Sequence, residues 1–351
     1  MMVIQEHSTL HNFSYFEYLF GLGKFLCQKY EYLFKDSSKI EQEDSIGFNI
    51  VNICLELPFN EMEKIPSELG KYNLTVFEDA VLDSIDITYN LLKGFISLKM
   101  NKIKRISINH SEFQIVSIIG KIFHSKYNKD LTIKTTWPAK YESFKLNIPY
   151  HYLYDIIREH WKGSGDSKAF LLLSSNRYES PIPKTTWQNV FEEWFNNELE
   201  KREKVRVNVN DKAILFLKYL YTHSLSAYEE ISDKQFDIEH IIPVDRLKEV
   251  ANTNNGLPIS AFSNLCLLET KLNREKGSDT FYEHFDKLVE KEEFTKEQAE
   301  NEIEIIEKYT HTKRVELEFI SNGITKENFD IFLRTRFDKI LDIFFTENDI
   351  Q

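Results

Sequence analysis

The sequence predicts a mainly helical protein in which two short strands and a following helix form a small ββα unit in the C-terminal half. Three observations lead there. The 351 residues include 27 Phe and 17 Tyr but only 11 Gly and 8 Pro, a balance that favours compact helices over disorder. Long segments carry apolar residues at spacings of three and four, the mark of a buried helical stripe. The runs FDIEHIIP (236–243) and NLCLL (264–268) read instead as short strands, the first ended by Pro243.

A chain of this length buries a substantial core and most simply makes two domains. We place a helical N-terminal domain at 1–200 and a second domain at 201–351, with its core at 230–290 and a helical tail. In the first, helices are expected over 13–34, 77–99 and 112–127, while FNIVNICLELP (48–58) fits either a strand or a buried helix. Three more helical patterns follow between 151 and 225. GSGDSK (163–168) lacks the G-x-x-x-x-G-K-[ST] spacing of a phosphate loop and follows a helix, so it reads as an inter-helix loop. KREKVRVNVN (201–210) reads as a polar connection near a domain boundary.

In the second domain, the strands are followed by a helix that Thr270 caps and Gly277 closes. A helix with Phe281, Phe285 and Leu288 on one side backs it, and residues 295–345 are helical again. Arg334, Arg336 and Lys339 there read as members of local ion pairs.

The net charge of −12 argues against a protein that simply coats nucleic acid. The charge is uneven, however. Lys99 to Lys145 carries ten bases against three acids, a net of +7, whereas the chain from Glu283 onward carries eighteen acids against ten bases, a net of −8. Lys102, Lys104 and Arg105, together with Arg274, are the candidate nucleic-acid contacts, and a solvated surface is the equally weighted reading of the basic stretch. Cys27, Cys54 and Cys266 are far apart with no C-x-x-C pair, which encodes neither a zinc ribbon nor a disulfide framework. The N-terminus shows no basic start before an apolar core and no run approaches a membrane span, so a cytoplasmic protein with no membrane partner is expected.

Residues 236–276 carry the chemistry. Asp237, Glu239 and His240 lie at a strand end, Asn264 opens the second apolar run, and Asn273 and Lys276 share one helical face. An imidazole ordinarily has a near-neutral pKa, so His240 is expected to take a proton from water as the general base. Glu239 offers a hard charged oxygen and Asn273 a neutral one, which suits Mg²⁺ or Mn²⁺ held by few protein ligands. Asp237 either orients the site or reaches the metal through water. Strict alternation places Asp237 and Glu239 on one face and His240 on the other, so the strand must twist or end there for Glu239 and His240 to converge.

The Glu-His-Ile-x-Pro string, the Asn-Leu-x-Leu-Leu strand and the Asn-x-x-Lys that follows resemble the HNH, or ββα-metal, endonucleases, in particular the C-terminal HNH domain of GmrSD-type modification-dependent restriction enzymes. The close likeness covers residues 236–277, with a looser one from near 151 to the C-terminus. It implies one divalent ion, Asn264 pinning the loop that carries the base, and Lys276 contacting a phosphate. It further implies a DNA-cleaving effector of restriction or anti-phage defence. The GmrSD-type proteins join this part to a ParB-like domain marked by Asp-Gly-x-Gln-Arg, a string missing from this sequence. A separate ParB-like NTPase or modification-sensing partner protein is therefore expected. The same chemistry serves RNA equally well, and a non-catalytic scaffold retaining the ββα fold is the third alternative.

Overall fold

A computed structural model describes residues 14–34, 42–96, 110–204, 206–226 and 235–350. The protein is mainly helical with a small two-stranded antiparallel sheet. It divides into two compact units that separate between Ile182 and Pro183.

The first unit contains α1 (Tyr15–Lys29), α2 (Glu31–Phe34), α3 (Gln42–Cys54), α4 (Ile65–Leu69), α5 (Leu74–Ile96), α6 (Glu112–Lys126), α7 (Trp137–Ile157) and α8 (Gly165–Leu173). The 48–58 segment is helical as far as Cys54 and turns beyond it; Ile46, Ile50 and Ile53 repeat at helical spacing and are all fully buried. Helix α1 buries Leu19, Leu22 and Leu26, and it meets α3 at Gly47. A Cβ there would sit 2.1 Å from the Leu19 carbonyl oxygen, so only glycine permits the crossing. GSGDSK is only partly loop: Gly165 already begins α8.

Three of the six described bases of the basic stretch pair with carboxylates within this unit, and two more are held by carbonyls. Lys121 is buried and donates to the Leu173 and Ser175 carbonyls at 3.1 and 2.5 Å. Lys126 pairs with Asp83, Lys140 with Glu179 and Lys145 with Glu142, while Lys134 donates to the His124 carbonyl. Sequence charge counts miss this because they do not see which acids and carbonyls the fold brings alongside. Lys102, Lys104 and Arg105 lie outside the described residues.

The second unit contains α9 (Lys184–Leu199), α10 (Asp211–Ser226), β1 (Phe236–His240), α11 (Val244–Thr253), β2 (Leu265–Glu269), α12 (Thr270–Lys276), α13 (Phe281–Glu290), α14 (Lys296–Thr310) and α15 (Lys326–Glu347). Its core is aromatic. Trp194 stacks on Phe262 with ring centroids 4.2 Å apart, Phe195 stacks on Phe337 at the same distance, and Trp187 meets Phe344 edge-on at 5.2 Å. These contacts correct the boundary expected near 200: α9 packs with α15 and with the loop before β2, so it belongs to the second unit.

The polar KREKVRVNVN stretch is likewise built into this unit. Glu203 exchanges backbone hydrogen bonds with Leu257 at 2.9 Å each. Helix α12 begins directly from the strand with Glu269 at the N-cap position, one residue before the expected Thr270, and α13 carries its own capping box through Thr280 and Glu283. Among the described residues no helix is long and apolar enough to cross a membrane.

Candidate active site

Strands β1 and β2 pair antiparallel, from Phe236 opposite Glu269 to His240 opposite Leu265. Alternation along β1 sends Asp237 and Glu239 to the face that α12 covers. There Asn273 Nδ2 donates to Asp237 Oδ2 at 3.1 Å, and Lys276 Nζ donates to Glu239 Oε1 at 2.9 Å. Two helix positions three apart rise about 4.5 Å and two strand positions two apart about 6.6 Å, spans that side chains of this length bridge. Four of the sequence-predicted residues are thereby joined in two pairs.

His240 ends the strand, and the chain bends at 241–242 before Pro243 opens α11. Its side chain is half-buried, but Nε2 is shielded from solvent and finds no hydrogen-bond partner among the described residues. Burial first, and the Lys276 ammonium second, lower its pKa from 6.5 to about 4. The imidazole is therefore neutral at pH 7. Lys276 is the group that links the two neighbours which alternation separates: it is bonded to Glu239, and its charge acts on His240.

Asn264 is fully buried and clamps the bend after β1. Its Oδ1 accepts from the Ile242 amide at 3.1 Å, its Nδ2 donates to the Ile259 carbonyl at 2.9 Å and the Ile242 carbonyl at 3.4 Å, and its own carbonyl accepts from Ile241 N–H at 2.8 Å. Behind it, the Glu203 carboxylate accepts from the backbone amide and the hydroxyl of Ser260, both at 2.6 Å. Gly256, at φ +107, lets the same loop pass the Arg202 backbone, 2.6 Å from where a Cβ would stand. Glu203 carries no spacing cue in the sequence; only its place beside the Leu257–Ser260 loop gives it a role.

Lys276 departs from the sequence expectation of an outward phosphate contact. It is 4 % exposed, and besides Glu239 its ammonium donates to the Asp279 carbonyl at 3.1 Å and the Gly277 carbonyl at 3.4 Å. The turn at Gly277, φ +57, folds those carbonyls back over the helix end and draws the amine inward. Arg274 is exposed on the outer side of α12. Arg334 pairs with Asp338 one turn along its own helix but also with Glu192 on α9, and Lys339 pairs with Glu316, so of the expected local ion pairs only Arg334–Asp338 is local. Arg336 instead is buried and donates to the carbonyls of Leu265, Thr310 and His311 and to the Thr312 hydroxyl.

Among the described residues no group of three or more His, Cys, Asp and Glu side chains is arranged to hold a metal ion. Asp237 and Glu239 supply two acidic donors, and Asn273 adds a carboxamide whose nitrogen faces Asp237. This donor chemistry fits a hard divalent cation, although one oxygen of each carboxylate is engaged by Asn273 or Lys276. Comparison with protein-family models, curated proteins and solved structures finds no match to this chain. The chemistry of the site is thus read from its own residues.

Proposed function

We propose that the second unit is a metal-dependent endonuclease of the HNH type that hydrolyses DNA phosphodiester bonds, acting as the effector of a restriction or anti-phage defence system. The observation that supports this most is the pairing of Asp237 and Glu239 on β1 with Asn273 and Lys276 on α12, together with a neutral imidazole whose buried Nε2 has no hydrogen-bond partner among the described residues. A buried polar atom left unsatisfied costs about 1–3 kcal/mol, and a catalytic role is one account of such an atom.

Glu239 and Asp237, with Asn273 turned to present its oxygen, are the residues that would hold Mg²⁺ or Mn²⁺. When bound, such an ion neutralises charge building on the phosphate and the leaving 3′ oxygen. His240 accepts a proton from the water that attacks phosphorus. Lys276 orients Glu239 and adds to the burial that keeps the histidine uncharged, while Asn264 fixes the bend that sets the ring's direction. The exposed Arg274 on α12 is the phosphate contact we assign. A separate ParB-like or modification-sensing protein would direct the cut, since phosphate contacts position without specifying sequence.

A second reading, a binding or scaffold protein that keeps the strand–strand–helix unit without catalysis, is favoured by the engagement of both carboxylates with Asn273 and Lys276. Supercoiled DNA and RNA incubated with Mg²⁺ or Mn²⁺, with His240→Ala alongside, separate these readings. The expected outcome is DNA cleavage by the parent and a loss of about a hundredfold to ten-thousandfold in the variant. Cleavage of RNA alone changes the substrate, and silence with every substrate and candidate partner supports the scaffold. Asn273→Ala is expected to raise the metal concentration required, and an unchanged metal titration removes it from the donor set.

A further inference from the structure

On the side of α12 away from Asn273 and Lys276, the second unit has a cavity of about 640 Å³ between α12, α13 and α14. Each helix contributes a stripe at helical spacing: Lys271, Leu272 and Glu275 from α12, His284, Phe285 and Leu288 from α13, and Glu302, Ile305, Ile306 and Tyr309 from α14. Phe236, at the start of β1, completes the apolar floor. Ile305 remains 36 % exposed and Leu272 and Leu288 are only half-buried, so this floor presents apolar surface to solvent. Exposed apolar patches bordered by polar groups mark interaction sites.

The rim has a definite charge. Glu269, Glu275, Glu293 and Glu302 surround the floor, against Lys271, which lies 4.0 Å from Glu275. His284, on the same rim, is held toward its neutral form by burial against the pull of Glu275 and Asp279. Four carboxylates against one ammonium repel a phosphate backbone and attract a cationic partner. Apolar residues at helical spacing on α13 (Phe285, Leu288) and α14 (Ile305, Ile306, Tyr309), with Leu272 of α12 beside them, offer a surface on which the apolar face of a helix can lie.

We infer that this groove docks an amphipathic helix of a partner protein, with its apolar face on Leu272, Phe285, Leu288 and Ile305 and Lys or Arg side chains on the glutamate rim. The inference concerns binding and holds whether or not the neighbouring site cuts nucleic acid.

The test uses the full chain and a fluorescent synthetic Leu/Lys amphipathic helix, with a Leu/Glu helix of the same pattern as comparison, read by anisotropy. The parent is expected to bind the Leu/Lys peptide and not the Leu/Glu one. Glu275→Lys with Glu302→Lys is expected to weaken binding by about tenfold or more, and Ile305→Ser by roughly severalfold. Glu200→Lys with Asp342→Lys, an equal change of net charge at exposed positions that do not line the groove, is expected to leave affinity within about twofold. Circular dichroism and melting curves confirm that the variants fold.

Absence of binding by the parent overturns the inference. So does equal weakening by the two charge-reversed pairs, which signals bulk attraction, or an Ile305→Ser variant that binds as the parent does. Sedimentation that shows a self-associated parent made monomeric by Ile305→Ser makes the occupant a second copy of this chain, and likewise overturns it.

Discussion

At the scale of single residues, Lys276 carries the greatest consequence. An ammonium with 2 % of its side chain exposed, bonded to a carboxylate 18 % exposed, leaves a poorly solvated charge behind when removed. Lys276→Met is expected to cost about 2–3 kcal/mol, at or below the low end for a broken buried pair because water still reaches part of Glu239. Urea unfolding measures it, and a loss under about 1 kcal/mol shows that the pair contributes little. Order and spacing mark Glu239, His240, Asn264, Asn273 and Lys276 as one set in the sequence, and the structure joins Lys276 to Glu239 and Asn273 to Asp237. The direction of the Lys276 amine is not legible there. Helical spacing fixes which side of α12 it leaves from, but the Gly277 and Asp279 carbonyls that turn it inward follow from tertiary structure. His240 is more legible: alternation places it opposite Glu239 unless the strand twists or ends there, and the strand does end at that residue.

Among the elements, the loop from Leu257 to Asn264 decides whether the bend after β1 keeps its shape. Asn264→Ala removes the acceptor for the Ile242 amide and the donor for the Ile259 carbonyl in a fully buried position. Each orphaned group costs about 1–3 kcal/mol, so the variant is expected to melt well below the parent, and an unchanged melting temperature removes the clamp from the account. Helices were read from apolar periodicity, and it located α1, α5 and α6 to within a few residues. It failed at α8, where Gly163 and Gly165 resemble a break, and at α9, whose Trp187, Phe191, Trp194 and Phe195 form an evident stripe but do not say which unit it faces. KREKVRVNVN looks like a linker because it is polar, yet the Glu203 carboxylate is spent on the Ser260 amide and hydroxyl.

For the molecule as a whole, buried neutral histidines set a limit in acid. Burial lowers His110, bonded to Tyr152 and the Leu33 carbonyl, to about 4, and burial with Arg336 and Lys339 lowers His311 to about 4. Both folded values lie below the unfolded 6.5, so the stability they contribute is complete above pH 6.5 and is lost as pH falls toward 4. Each is expected to remove about 1.4 kcal/mol per pH unit within that window. Urea midpoints at pH 7, 6 and 5 measure the fall, and a flat profile counts against it.

Arg336 has a broader consequence. Its guanidinium, from the final long helix, reaches the first residue of β2, the last turn of α14 and the 311–312 turn together. The stretch that carries the recognisable string of residues is therefore braced from outside itself. Shortening the C-terminus by its last helix would take away a cross-brace of the sheet some seventy positions upstream, so a transplanted piece has to bring that helix with it.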